Sequence, residues 1–101
     1  MYIHSLLMKN LIISETIQQK LIQKHAVYRR EVEQCILNID GPMLEEARED
    51  HRTDPPTRWF LSSTNAGRLL KVVFVLRDGK IFIRTCYSPN ADEIRIYNDA
   101  R

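Results

Sequence analysis

The chain has 101 residues, which is enough for one hydrophobic core and close to the commonest domain size, so we expect a single domain over residues 1–101. Its 44% hydrophobic content excludes wholesale disorder, and no apolar run approaches the roughly 20 residues of a membrane span. A formal net charge of only +2 argues against a histone-like polycation. Cys35 and Cys86 lie in apolar segments without metal-ligand spacing, which predicts buried free thiols in a reducing cytoplasm.

The first part of the chain predicts one strand and two helices. Residues 1–8 lack a signal-peptide pattern, and Met8 followed by lysine resembles a second start, so we expect a dispensable extension there. Ser14 is a suitable N-cap ahead of apolar residues at helical spacing. The predicted elements are a strand or an extended lead-in at Lys9–Ile13, a helix from Ser14 to His25 and a helix at Arg29–Asn38.

The second part predicts an antiparallel meander. Residues 43–50 fit a helix or an edge strand, and the strand is preferred; residues 91–97 fit a short helix or a last strand. Asp78-Gly79 is a strong type I′ hairpin signal. The predicted strands are Thr57–Ser63, Arg68–Arg77 and Lys80–Tyr87. This order predicts an α+β fold with two N-terminal helices on one face of a mainly antiparallel sheet of three to five strands, followed by a short C-terminal helix.

Charge is unevenly distributed along the chain. Residues 31–50 hold seven acids and one base, whereas residues 52–84 hold seven bases and two acids. Runs of charge are usually solvated faces, so this asymmetry gains meaning only from the strand register.

The hairpin register brings two of these bases together. If Asp78 and Gly79 are the turn residues, Lys71 lies diagonal to Arg84 on the face opposite the core. Arg58 joins them if the neighbouring apolar residues of its strand point into the core. A central cluster of cations favours a phosphodiester site. The alternative is neutralisation by the acidic block, through Glu45, Glu46 or Asp50.

Several motifs resemble a known family of small proteins. They are Lys24-His25-Ala26-Val27, Glu31-Val32, Arg58-Trp59-Phe60, the stretch Gly67–Phe74, Ile83-Arg84-Thr85 and a closing Glu93–Tyr97. In order and spacing these motifs resemble BrnT-like toxins of the RelE/ParE superfamily, as a sister family of BrnT.

The resemblance implies the toxin of a type II toxin–antitoxin system, held inactive by a cognate antitoxin protein. The implied activity is a cofactor- and metal-independent endoribonuclease, often acting on ribosome-bound messenger RNA, in which the RNA 2′-hydroxyl attacks the adjacent phosphate. No membrane role is implied, and a homodimer is left open.

Candidate site residues divide into two groups. Catalytic candidates are Arg84, Lys71, Arg58, His25 and Tyr97. Candidates for RNA or phosphate binding are Arg68, Arg77, Lys80, Tyr87 and His51. Scattered histidines without fixed spacing predict no metal site. The alternative functions are a non-catalytic RNA- or protein-binding module of the same fold and a ParE-like gyrase inhibitor.

Overall fold

A computed structural model describes residues 8–46 and 54–101, so the predicted extension at residues 1–7 and the residues 47–53 lie outside the described part. The chain forms an α+β fold around a five-stranded sheet. The strands are β1 (Leu11–Ile12), β2 (Leu44–Glu45), β3 (Thr57–Ser63), β4 (Leu69–Arg77) and β5 (Lys80–Tyr87). The helices used below are α1 (Glu15–His25), α2 (Arg29–Leu37) and α3 (Ala91–Ala100).

The sheet is antiparallel except at one edge. Its strand order is β1-β5-β4-β3-β2, and only the pair of β1 with β5 is parallel. The predicted strand at Lys9–Ile13 is too long, because residues 8–10 are helical and only Leu11–Ile12 pair with the sheet. Within residues 43–50 the preferred strand is found at Leu44–Glu45. At the C-terminus the open choice is resolved as helix α3.

Local sequence explains the helix starts and the hairpin. The Ser14 hydroxyl accepts a hydrogen bond from the Ile17 amide, 3.2 Å away, and so satisfies one free donor at the start of α1. Asp78 and Gly79 have φ values of 54° and 74°, the two positive angles that a type I′ turn requires. The hairpin predicted from this dipeptide is therefore confirmed.

The predicted register of the hairpin is correct only near its turn. Arg77 pairs with Lys80 and Phe74 pairs with Ile83, as predicted, but a bulge between Val73 and Phe74 shifts all later pairs by one residue. Lys71 therefore opposes Tyr87 rather than Cys86. The diagonal neighbour of Lys71 becomes Thr85, and the predicted Lys71–Arg84 cluster is wrong.

The alternation along β3 and β4 divides the sheet into two faces. Phe60 pairs with Val72 on one face, and their side chains are buried in the core to which α1 and α2 contribute Leu21, Val32 and Cys35. The Cys35 thiol donates to the Ser62 carbonyl at 3.5 Å. Both cysteines are buried free thiols, as expected.

Helix α3 lies on the other face of the sheet. Trp59 pairs with Val73 and Leu61 pairs with Lys71 on this face, and the ring of Tyr97 from α3 stacks on Trp59 with 5.8 Å between centroids. A Cβ at Gly41 would overlap the Tyr97 ring and hydroxyl, so the bare backbone of this glycine lets α3 seat closely. The face predicted to be an open basic surface is thus partly covered by α3.

Candidate functional site

The start of α3 is fixed by a reciprocal capping interaction. The Asn90 side chain accepts from the Glu93 amide at 2.8 Å, and the Glu93 carboxylate accepts from the Asn90 amide at 2.9 Å. This is the capping box expected of an Asn-x-x-Glu sequence. One carboxylate oxygen of Glu93 is thereby turned back along the chain, and the other is directed at the sheet.

The second oxygen of Glu93 joins two neighbouring strands. Lys71 Nζ of β4 lies 2.5 Å from Glu93 Oε2, and the Tyr87 hydroxyl of β5 donates to the same oxygen at 2.9 Å. Lys71 and Tyr87 are direct cross-strand partners because of the bulge. The register shift that separates Lys71 from Arg84 therefore assembles a Lys71–Tyr87–Glu93 triad in its place.

Lys71 is held in an aromatic cradle. Its ammonium lies 4.5 Å from the centroid of the Trp59 ring and 5.6 Å from that of Tyr87, both within cation–π range. Only 8% of the residue is exposed, so its charge is largely removed from water. The carboxylate of Glu93 supplies the counter-charge that such burial requires.

The triad perturbs the acidity of two of its members. Burial acts to raise the pKa of Glu93, but hydrogen bonds from Lys71, the Asn90 amide and Tyr87 outweigh it and lower this pKa below the usual value. Burial, together with donation to Glu93, raises the pKa of Tyr87. At neutral pH Glu93 is therefore a carboxylate and Tyr87 a neutral phenol.

His25 is placed beside the triad by the end of α1. Its ring lies 5.6 Å from that of Tyr87, measured between centroids. Ala26 ends the helix in the left-handed conformation, and Arg68 donates to the carbonyls of His25 at 2.7 Å and Ala26 at 2.8 Å. Arg68 also pairs with Glu31 at 3.2 Å. The guanidinium predicted to bind phosphate thus anchors the helix end that carries His25.

A groove of about 630 Å³ gives access to the triad. It lies between the start of α3 and strand β2, within the size range of small-ligand sites. Apolar side chains of Leu44, Trp59 and Ile96 line it beside the triad. Acidic side chains complete the lining, namely Glu45, Glu46 and Asp92.

Arg84 lies in a different part of the molecule. It is the extra residue of the bulge, it is exposed, and it lines a second groove of about 540 Å³ with Ile12, Ser14, Ile17 and Phe82 among its other residues. The two leading catalytic candidates from the sequence, Lys71 and Arg84, therefore belong to separate surfaces.

Arg58 and Tyr97 are likewise not part of the triad. Arg58 pairs with Phe74 on the face opposite Lys71, and its guanidinium lies 3.5 Å from Glu45, the neutralisation that was the alternative for this residue. Tyr97 is 1% exposed and packs as a core residue under Gly41, where burial raises its pKa.

The remaining phosphate candidates are at the hairpin or outside the described residues. Arg77 and Lys80 are exposed partners beside the hairpin turn. His51 lies outside the described residues. Within residues 8–46 and 54–101, no group of three His, Cys, Asp or Glu side chains is placed to hold a metal ion. In the same part of the chain, no helix is long and apolar enough to cross a membrane.

Sequence reasoning missed Glu93, which is the centre of the site. Its signal was the Asn90-x-x-Glu93 capping pattern, which fixes both the helix start and one oxygen of the carboxylate. The orientation of the second oxygen depends on how α3 docks, which local patterns do not encode. Trp59, which is 7% exposed, also had no sequence signal for its role as one wall of the lysine cradle.

No protein family, curated protein or solved structure was found to match this chain. Functional inference therefore rests on the Lys71–Tyr87–Glu93 triad, His25 and the surfaces around them.

Proposed function

We propose that this protein is a metal-independent endoribonuclease of the type II toxin class, with its catalytic centre at Lys71, Tyr87, Glu93 and His25. The observation that carries the proposal is the convergence of a carboxylate, an ammonium and a phenol at one groove, with the His25 imidazole 5.6 Å from the phenol ring. Such a set supplies both proton transfer and charge stabilisation, the two requirements of phosphodiester cleavage without a metal.

The layout of the chain gives further support. The antiparallel β3-β4-β5 meander follows the two helices α1 and α2, which is the element order of the BrnT-like and RelE-like toxins that the sequence resembles. The resemblance also implies a cognate antitoxin protein as partner and cytoplasmic RNA as substrate, and both belong to the proposal.

In the proposed reaction, the Glu93 carboxylate accepts the proton of the RNA 2′-hydroxyl. The 2′ oxygen bonds to the adjacent phosphorus, and the bond from phosphorus to the 5′ oxygen breaks. His25 donates the proton that this leaving oxygen requires. The products are a 2′,3′-cyclic phosphate and a 5′-hydroxyl, so atoms and charge balance.

Lys71 and Tyr87 have supporting roles in this scheme. The Lys71 ammonium stabilises the additional negative charge that forms on the phosphate oxygens in the transition state. The Tyr87 phenol, which stays protonated at neutral pH because its pKa is raised, donates to Glu93 and orients it. Tyr87 is thus a positioning residue, and Glu93 and His25 are the proton-transfer groups.

The test is cleavage of a labelled RNA oligonucleotide, free and on translating ribosomes, in buffer containing EDTA. We expect fragments ending in a 2′,3′-cyclic phosphate and no cleavage of the corresponding DNA, which lacks the nucleophile. Glu93→Gln is expected to lower the rate by about 10²-fold or more, as loss of a general base does. Asp99→Asn, an exposed acid of the same helix, is the matched control and retains the wild-type rate.

Two outcomes would contradict this assignment. One is absence of cleavage by the wild-type protein in both settings. The other is full activity of Glu93→Gln, which would place the chemistry elsewhere on the molecule.

The second candidate function, a non-catalytic binding module, is favoured by one observation. Lys71 is buried and already neutralised by Glu93, an arrangement that also serves purely to hold α3 on the sheet. In that case the wild type cleaves no RNA, and Glu93→Gln lowers stability without changing any activity.

A further inference from the structure

The cations of this chain fall into two classes. One class is ion-paired, and its members are Arg29, Arg58, Arg68, Lys71, Arg95 and Arg101. Among the residues that the structure describes, the other class makes no ion pair or side-chain hydrogen bond, and it includes Lys20, Lys24, Arg77, Lys80 and Arg84. These five exposed residues are called the basic flank below.

The basic flank is carried by helix α1 and the β4–β5 hairpin, with Arg77 and Lys80 paired beside the hairpin turn and Arg84 further along β5. Ile17, Lys20 and Lys24 are spaced at i, i+3 and i+7, so they share one side of α1. Ile17 itself lines the groove that contains Arg84 and Phe82 of β5. The lysines of α1 therefore share a side of the helix with a residue that lines the Arg84 groove.

The two elements run side by side for the length of α1. Ser14, at the start of the helix, lines the same groove as Arg84, and His25, at its end, contacts Tyr87 with 5.6 Å between ring centroids. The charges of α1 therefore follow β5 from the bulge to its last residue. Lys24 immediately precedes His25, so the basic flank ends at the proposed catalytic groups.

The bulge and the apolar groove add to this surface. A β-bulge redirects the side chain of its extra residue, here Arg84, which is exposed and pairs with no acid in the described part of the chain. Between Arg84 and α1 the groove offers Phe82 and Ile12, an aromatic and an aliphatic side chain suited to the face of a base. Acids are sparse here, with Glu15 at the start of α1 and Asp78 in the hairpin turn.

We propose that the basic flank binds the backbone of a single-stranded RNA and leads it to His25 and Tyr87. The extended series of unpaired cations, with an aromatic side chain in the intervening groove, fits a strand that repeats its charge along its length. Cleavage of the bound RNA rests on the proposed function, whereas binding along the basic flank does not require it.

The experiment measures affinity for a fluorescent 2′-O-methyl oligoribonucleotide, which lacks the attacking hydroxyl and so stays intact. Fluorescence anisotropy gives Kd at a series of KCl concentrations. Lys24→Gln/Arg84→Gln removes two charges from the basic flank. Arg30→Gln/Arg95→Gln removes two exposed charges elsewhere and is the matched control.

We expect the first double variant to raise Kd by about tenfold or more and to reduce the slope of log K against log salt by about 1.4, since each phosphate contact to a single strand contributes about 0.7. The control variant is expected to keep Kd within twofold. All these side chains are exposed, and circular dichroism verifies that each variant is folded.

Three results would overturn the proposal. The first is an unchanged Kd for Lys24→Gln/Arg84→Gln. The second is equal weakening by both double variants, which would reduce the effect to net charge. The third is equal affinity for polyglutamate, lost to the same extent on substitution, which would identify an acidic protein as the ligand. Loss of cleavage with intact binding would overturn only the proposed function.

Discussion

The groove at the start of α3 and the basic flank differ in whether their charged side chains are paired. In the groove, Lys71 is buried and paired with Glu93, and Glu45 of the groove lining is paired with Arg58, whose own strand position is on the opposite face. On the basic flank, Lys24 and Arg84 are exposed, and neither pairs with an acid within residues 8–46 and 54–101. A buried, paired charge stabilises the fold and a defined geometry, whereas an exposed, unpaired charge is free to bind a mobile polyanion.

The net charge of +2 conceals this division. The two regions adjoin at Tyr87 and His25, so an RNA strand bound on the basic flank would lead to the proposed catalytic groups. Under the two proposals, binding belongs to the basic flank and chemistry to the groove.

The largest effect expected on stability is in the groove. Glu93→Gln leaves the Lys71 ammonium buried without a counter-charge, which should lower the free energy of unfolding by about 3 kcal/mol. Lys71→Met/Glu93→Gln removes both charges and should recover part of that loss. Urea denaturation measures both. Loss of the two basic-flank charges in Lys24→Gln/Arg84→Gln should change the same quantity by less than about 0.5 kcal/mol.

A double variant no more stable than Glu93→Gln alone would contradict the importance of the buried ion pair. So would an equal loss in the basic-flank variant, because exposed cations without partners should contribute little to folding.

A smaller effect on folding stability is expected when the pH is lowered. The pKa of folded Glu93 is lowered, so its contribution to stability is complete above the unfolded value of about 4.3 and is lost as pH falls through the folded value. The thermal midpoint of the wild type should therefore fall more steeply below about pH 4.3 than that of Glu93→Gln. Calorimetry across this range measures the difference, and parallel curves for the two proteins would contradict the linkage.

Local sequence predicted the elements well because their signals are local. Asp78-Gly79 specifies its own turn, Ser14 specifies a helix start, and the alternating residues of β3 to β5 specify strands. The bulge was missed because strict alternation was assumed past Ile83. The consequence of the bulge is visible in the structure, since Ile83 and Cys86 are both buried in the core, and residues three apart on a regular strand would point to opposite faces.

The site was predictable only in part. Three of the site residues were candidates from the sequence, namely Lys71, Tyr87 and His25. Whether they lie close to one another and to Glu93 depends on the shifted register and on the docking of α3. The docking of α3 depends on a contact between residues distant in sequence, because Tyr97 packs under Gly41, which lies more than 50 residues earlier in the chain. Arg84 was expected beside Lys71, but it lines a different groove, with Ser14 and Ile17 among its neighbours.

The most direct test of the division between binding and chemistry is steady-state cleavage of an unmodified RNA oligonucleotide by two variants. We expect Glu93→Gln to lower kcat by about 10²-fold or more and to leave KM nearly unchanged. We expect Lys24→Gln/Arg84→Gln to raise KM by about tenfold and to keep kcat within twofold of the wild type. A fall in kcat for the basic-flank variant as large as that for Glu93→Gln, with no change in KM, would contradict this division.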